Sequence, residues 1–500
     1  MTVGALVRAH GLARAERPAF LTATSTTTWA AYDDAADKVA ARLVAAGVEP
    51  GDRVAVVFPD GPGVHATFVG SERIGAVVVG IGFRAGRSEV DHLVSKTGAS
   101  VLVTEERSRS DLPVTLSGVR NIALPHDLGT LRHGTVPPGT ALGLDDLFLL
   151  NSTSGTTGLP KCVMHTQARW FAYHPWAVES AALTDREVFF SAIPTPFGFG
   201  LWTAHFTPTI LGCPTVLIDG FDAGIALDLI EKHRVTVLAC VSTQFIMMLN
   251  EQQARPRDVS TLRCLFTGGE AVPYEKAAAF EDHFGATVLQ FYGSNETGAL
   301  SRTTLSDSPD RRLRTAGRVL DEMHVRLFDA DGSDITGAGR PGIPGCRGPA
   351  TSLGYYGDDE ANATLMTSDG WMLMGDLVEI DGQGYLTVVG RTSDIIIRGG
   401  KNISASMVES EVATHPGVVM AAAVAMEDEV FGEKVCVYVE VQPGFEGMTL
   451  GDLTHHLHMR GVTKEWFPER LIVVDSLPRS SGGKVAKGIL REDTRRQTGR

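Results

Sequence analysis

The sequence predicts a multidomain α/β protein, and three features of the 500-residue chain carry that expectation. Short all-apolar runs alternate with helical patterns, the texture of parallel strands covered by helices on both faces. After about residue 315 this alternation gives way to dense turn signals (Asp331-Gly332, Pro341-Gly342, Pro344-Gly345), which favour antiparallel β structure. A compact run of helix and strand patterns then follows Gly390. The expected plan is a large N-terminal domain over 1–390, with two helix-covered sheets and a β subdomain, and a small α+β C-terminal domain over 391–500.

Each element has its own signal. Residues 33–46 place Ala36, Val39, Ala40, Leu43 and Val44 on one helical face, and Gly47 supplies a stop. Val54-Ala55-Val56-Val57-Phe58 is apolar throughout, as a strand buried on both faces should be. A helix pattern over 65–74 leads to a strand over 76–79, and another over 89–97 leads to a strand over 101–103. Leu147-Phe148-Leu149-Leu150 reads as one more buried strand. The theme returns with a helix over 225–233, strands over 235–241 and 262–267, a helix over 275–284 and a strand over 287–291. After the apolar run Ile395-Ile396-Ile397, the C-terminal module reads as helices over 405–413 and 450–459, and strands over 418–425, 434–441 and 471–474.

Composition narrows the function classes. A net charge of −14 argues against broad nucleic-acid binding and against attraction to anionic membranes. No stretch approaches about 18 consecutive apolar residues, so no membrane insertion is expected. The N-terminus shows no secretory signal, and the six cysteines are scattered without a CxxC pair; buried reduced thiols in a cytoplasmic protein are expected. Nothing in the sequence excludes a homodimer.

The chemistry concentrates in a few stretches. Asn151-Ser152-Thr153-Ser154-Gly155-Thr156-Thr157-Gly158-Leu159-Pro160-Lys161 combines hydroxyls, glycines and a lysine, all suited to phosphate oxygens. It is not the Walker spacing, because Leu-Pro separates the second glycine from the lysine, and an ordinary Ser/Thr/Gly surface loop has the same composition. Gln290-Phe291-Tyr292-Gly293-Ser294-Asn295-Glu296-Thr297 offers an aromatic face for a purine and a carboxylate for Mg²⁺ held together with phosphate. Three histidines over 455–458 invite a metal reading, but only His455 and His458 could share a helix face, and a solvated surface is the plainer account.

The order of residues in S-T-S-G-T-T-G-L-P-K resembles the phosphate loop of the adenylate-forming superfamily, which holds acyl- and aryl-CoA synthetases, carrier-protein adenylation domains and beetle luciferases. Four further blocks resemble it in the right order: Thr267-Gly268-Gly269-Glu270, Tyr292-Gly293-Ser294-Asn295-Glu296, Asp369-Gly370-Trp371 through Asp376 with Gly390-Arg391, and Pro478-Arg479 through Gly482-Gly483-Lys484. The resemblance implies that Thr153, Ser154, Gly155, Thr156, Thr157 and Lys161 meet phosphate, and that Gly269, Glu270, Tyr292 and Asn295 meet the nucleotide. It gives the ribose to Asp376 and Arg391, the metal to Glu296, and adenylation catalysis to Lys484. Phe197, Phe199, Gly268 and Gly293 would wall the acid pocket. Ser393 would be the hinge of a mobile C-terminal domain, and Gly399 and Gly400 would line the CoA path.

The implied reaction uses ATP, Mg²⁺ and CoA with a small carboxylic acid, forming first an acyl-adenylate and then a thioester. Phe197, Phe199, Trp202 and the run from Phe245 to Leu249 suggest an apolar aryl, alicyclic or terpenoid-like acid. The aspartate that amino-acid-activating relatives carry around 191–197 is absent. Several residues depart from the family pattern: Cys162 replaces glycine, Asn295 and Met374 replace threonines, Phe197 stands where many acid–CoA ligases have histidine, and Ser393 stands where Asp or Lys is usual. These departures keep open an enzyme that only transfers a preformed acyl-adenylate to CoA, or a degenerate acyl- or nucleotide-binding protein.

Overall fold

The computed structural model of the chain describes residues 1–106, 118–152, 160–270, 272–399, 401–479 and 485–497. Two large sheets hold its N-terminal part. One has six strands in the order Arg120–Leu124, Val101–Glu105, Arg53–Val57, Val77–Ile81, Leu147–Ser152 and Cys162–Thr166, all parallel except the last pair. The other has nine strands and is parallel from Thr287–Ser294 through Cys264–Gly268, Val237–Ala239, Phe189–Ser191 and Thr215–Leu217 to Pro18–Leu21. Antiparallel strands close both of its edges.

Side-chain alternation explains the all-apolar runs. Val54 and Val56 enter a core shared with the nine-stranded sheet, whereas Ala55 and Val57 enter a second core with Val90, Leu93 and Val94 of the helix Arg87–Thr97. Phe189 and Phe190 divide between two cores in the same way. Fully burying each such side chain stabilises the fold by about 1.5–3 kcal/mol.

A three-stranded sheet (His324–Phe328, Ile343–Arg347, Met372–Leu373) and a two-stranded ribbon (Asp376–Ile380 with Leu386–Arg391) form the expected β region. The ribbon passes into the one-turn 3₁₀ helix Thr392–Asp394, and Ile395–Arg398 then joins the five-stranded C-terminal sheet. All six cysteines are buried and free. Among the described residues no helix is long and apolar enough to cross a membrane.

Some expectations need correction. The strand expected over 287–291 runs on to Ser294 and folds back as a hairpin with Gly298–Arg302, so Tyr292 and Gly293 are strand residues. Gly293 permits this, since a Cβ there would lie 1.8 Å from the Gly298 carbonyl oxygen. The strand expected over 235–241 shortens to Val237–Ala239, because Gln244 Oε1 accepts from Val241 N where the helix Ser242–Ala254 begins. The Phe245 to Leu249 run, expected in the acid pocket, is in its buried part a core element: Phe245, Met248 and Leu249 pack with Phe280 beneath the nine-stranded sheet. The helix Gln167–Ala181 and the π-helical turn Leu201–Phe206 had no clear signal in the sequence pattern.

Candidate active site

The motifs gather where parallel strands end, the usual ligand edge of an open α/β sheet. Leu147–Ser152 leads into the Ser/Thr/Gly loop, Cys264–Gly268 into Gly269 and Glu270, and Thr287–Ser294 into Asn295 and Glu296. Thr153, Ser154, Gly155, Thr156, Thr157, Gly400 and Lys484 lie outside the described residues.

Tyr292 from the nine-stranded sheet meets Asp376 and Arg391 from the two-stranded ribbon. The Tyr292 hydroxyl donates to Asp376 Oδ2 at 2.9 Å, and Arg391 Nε lies 3.3 Å from Asp376 Oδ1. Register does the placing, because Asp376 and Arg391 are direct partners across the antiparallel ribbon. Burial and the Asp376 carboxylate hold the Tyr292 phenol well above its ordinary value, so it stays a neutral donor. This arrangement leaves a carboxylate and a guanidinium beside an aromatic face, a donor and acceptor set that suits a nucleoside.

Glu296 and Lys161 meet through Tyr355, a residue outside every sequence motif. The Tyr355 hydroxyl donates to Glu296 Oε1 at 2.7 Å, and Lys161 Nζ lies 4.9 Å from the Tyr355 ring centroid. Val163 bridges Tyr355, and Tyr356 N donates to the Cys162 carbonyl, so the strand after the loop fixes this tyrosine. Among the described residues no cluster of three metal-ligating side chains exists. A Mg²⁺ held by one carboxylate together with substrate phosphates needs none, so Glu296 fits that ion.

The glycines act by close approach. A Cβ at Gly268 would lie 2.4 Å from the Phe291 carbonyl oxygen of the neighbouring strand, and Gly269 has φ +78°. Glu270 Oε1 accepts from Thr243 N, so its carboxylate also serves the start of the helix Ser242–Ala254.

On the acid side, Phe197 and Phe199 are half-buried, and Phe199 stacks on Trp202 with ring centroids 5.7 Å apart. Trp202 is itself buried among Tyr173, Phe266 and Phe291. The segment is anchored from below, where Thr195 N donates to Asp60 Oδ1 at 2.8 Å. Burial pushes that carboxyl up to about 6. Asn295 joins the two halves, because a Cβ on Gly198 would lie 2.6 Å from its Oδ1.

Residues 7–356 match the family model "AMP-binding enzyme", and residues 407–484 match its C-terminal domain. The chain belongs to the AMP-binding enzyme family. It is an adenylate-forming enzyme of the acid–thiol ligase class, as the resemblance implied. It is similar to a medium-chain fatty-acid–CoA ligase of Escherichia coli, 30% identical over 94% of this chain and 86% of that one. It is also 32% identical to a feruloyl-CoA synthase of an Amycolatopsis species over 93% of both. The Bacillus subtilis o-succinylbenzoate CoA synthetase, solved with its acyl-adenylate intermediate, superposes with a TM-score of 0.83 at 25% identity over 97% of each chain.

The hinge expectation falls on the 3₁₀ turn Thr392–Asp394, where Ser393 sits in the middle. Thr392 donates to the Gly375 carbonyl from both its N–H and its hydroxyl, which ties the turn to the loop before Asp376. Gly399 has φ +56° and donates to the Phe431 carbonyl. Sequence reasoning missed Tyr355, Asp60 and the helix carrying Tyr173. Tyr355 and Asp60 stand alone in their stretches, and this helix buries Gln167, Arg169 and Ser180 together with Trp170, Tyr173 and Trp176, so its inner side does not read as an apolar stripe.

Proposed function

We propose that the chain is an ATP-dependent acid–CoA ligase working through an acyl-adenylate on an apolar carboxylic acid of aryl, alicyclic or terpenoid type. The observation that carries the reading is the convergence of Tyr292, Asp376 and Arg391, with the turn Asn295–Glu296 that follows Tyr292 packed against Gly198 between the half-buried rings of Phe197 and Phe199. Tyr292 flanks the base, Asp376 and Arg391 hold the ribose, and Glu296 holds Mg²⁺, which offsets phosphate charge when bound. Thr153, Ser154, Gly155, Thr156, Thr157 and Lys161 cradle the phosphates, with Asn295 beside them. Lys484 neutralises the transferring centre in the first half-reaction, and this electrostatic help is what phosphoryl chemistry needs. The domain over 391–500 then turns about Ser393 and brings Gly399 and Gly400 to the thiol path. Gly268, Gly269, Glu270 and Gly293 shape the floor of the site.

The departures from the family pattern do not argue for a lost first step. Cys162 is fully buried in the core of the six-stranded sheet, so its bulk is absorbed by packing. Met374 packs on the main core, and its N–H donates to Pro344. The test supplies ATP and Mg²⁺ with octanoate, ferulate, benzoate, cyclohexanecarboxylate or o-succinylbenzoate, and follows exchange of labelled pyrophosphate into ATP without CoA. Exchange with at least one apolar acid, and its thioester once CoA is added, is the expected result. No exchange with any acid, but rapid conversion of synthetic acyl-adenylate plus CoA, would replace this reading with the transfer-only enzyme.

A further inference from the structure

Three buried side chains, of which only Asn151 borders a sequence motif, form one continuous hydrogen-bonded path between the two halves of the site. Arg169 Nη1 donates to His165 Nδ1 at 2.8 Å and to the Asn295 carbonyl at 2.9 Å, while its Nε donates to the Ala350 carbonyl at 2.9 Å. His165 Nε2 lies 3.0 Å from Asn151 Oδ1, and Asn151 Nδ2 lies 3.1 Å from the Pro196 carbonyl oxygen. Asn151 and His165 are fully buried, and Arg169 is 3% exposed.

The path has a forced direction. A guanidinium only donates, so His165 Nδ1 must accept and the ring proton must sit on Nε2. That proton is given to Asn151 Oδ1, which leaves the Asn151 amide N–H to hold Pro196. Proline has no N–H of its own, so this carbonyl is the backbone handle available at position 196. Arg169 makes no ion pair among the described residues, and its Nη2 has no partner there. A buried guanidinium with no direct ion pair, favoured by the more distant charge of Glu296, is a poor way to gain stability compared with an apolar residue.

We infer that Arg169, His165 and Asn151 are positioning residues that hold the acid segment 194–200 in register with the Asn295–Glu296 turn. The inference rests on the ligase reading of those two segments. Register matters here because Gly198 packs closely on Asn295, whose Oδ1 would lie 2.6 Å from a Cβ at position 198. Asn151 lies on the strand that feeds the phosphate loop, and one relay therefore references acid, metal carboxylate and loop to each other.

Amide hydrogen exchange on the full chain tests the relay without a substrate. His165→Leu should speed exchange in 194–200 by about tenfold and leave 292–298 unchanged, whereas Arg169→Gln should speed both. His165→Gln, whose amide can accept from Arg169 and donate to Asn151, should restore protection. If His165→Leu does not fold, Asn151→Asp makes the same test, since it still accepts from His165 but turns an oxygen toward Pro196. Wild-type protection of 194–200 in the folded loosening variant overturns the relay. With an acid accepted by the wild type, the loosening variant should raise the acid KM about tenfold and keep the ATP KM within about twofold. Equal rises in both would assign a merely structural role and also overturn it. A wild type that exchanges pyrophosphate with no acid counts against the ligase reading, while the hydrogen-exchange result still decides the relay.

Discussion

Around Tyr292, Asp376 and Arg391, position is set by charged and hydrogen-bonded side chains placed opposite one another on a β ribbon. Around Phe197 and Phe199 it is set by ring packing and by backbone groups tied down from beneath. The first arrangement suits a ligand that is the same in every turnover. The second leaves the side chains of Phe197 and Phe199, which we propose face the acid, free to differ, because the anchors act on Thr195 N and the Pro196 carbonyl rather than on the rings. On the proposed assignment, invariant chemistry and selectable chemistry are held by different kinds of interaction.

The sharpest way to break this contrast is Lys484→Ala. It should lower acid-dependent pyrophosphate exchange by about 10²–10³-fold, as loss of an aimed electrostatic donor does. Transfer from synthetic acyl-adenylate to CoA should be little changed, and an equal loss in both steps would unite what the contrast separates. Asp376→Ala should come next, weakening AMP binding by about 1.5–3 kcal/mol in calorimetry on the folded variant. Unchanged affinity there would remove the ribose role.

Phe197→Ala should reorder the accepted acids by about tenfold in kcat/KM while leaving AMP affinity within about twofold. A loss confined to ATP would move Phe197 to the nucleotide side. The smallest effect belongs to Asp60, whose carboxyl is raised from 3.8 to about 6 by burial, with Asp219 adding to the shift and the Thr195 bonds and Arg84 opposing it. A raised acid means that the fold penalises the ionised form, so the penalty is absent below about pH 4 and complete above about pH 6. Asp60→Asn should therefore gain on the order of 1 kcal/mol relative to wild type at pH 8, discounted because the residue is partly exposed, and that gain should vanish at pH 4. Thermal melts at the two pH values measure it, and a pH-independent difference would contradict the burial of this carboxyl.

The same contrast governs what the sequence reveals. The central strands of the six-stranded sheet were legible because a strand covered on both faces must be apolar throughout, as Val54 to Val57 are, whereas short strands such as Phe189–Ser191 and Thr215–Leu217 were not read. The motifs expected at the nucleotide were legible as residue patterns, and three of their residues, Tyr292, Asp376 and Arg391, converge in the fold. The relay was not legible. Asn151, His165 and Arg169 are useful only through their mutual geometry, and a lone buried histidine looks like any core residue in a sequence. The hairpin at Ser294 and the core role of Phe245 were misread because periodicity records burial and does not say which partner does the burying.

The glycine contacts at 268 and 293 have a consequence for how such an enzyme acquires new substrates. A methyl group at either position would meet a neighbouring backbone oxygen at 2.4 Å or 1.8 Å, and backbone in a sheet centre cannot move aside. Those two positions are closed to adaptation, whether by selection or by design. On the proposed assignment, a lineage of this chain that turns to a bulkier or smaller acid would do so mainly through the rings of Phe197 and Phe199 and the helices that back them. Libraries randomised on that wall should yield folded proteins with altered acid choice, while libraries on the glycine floor should yield mostly insoluble chains.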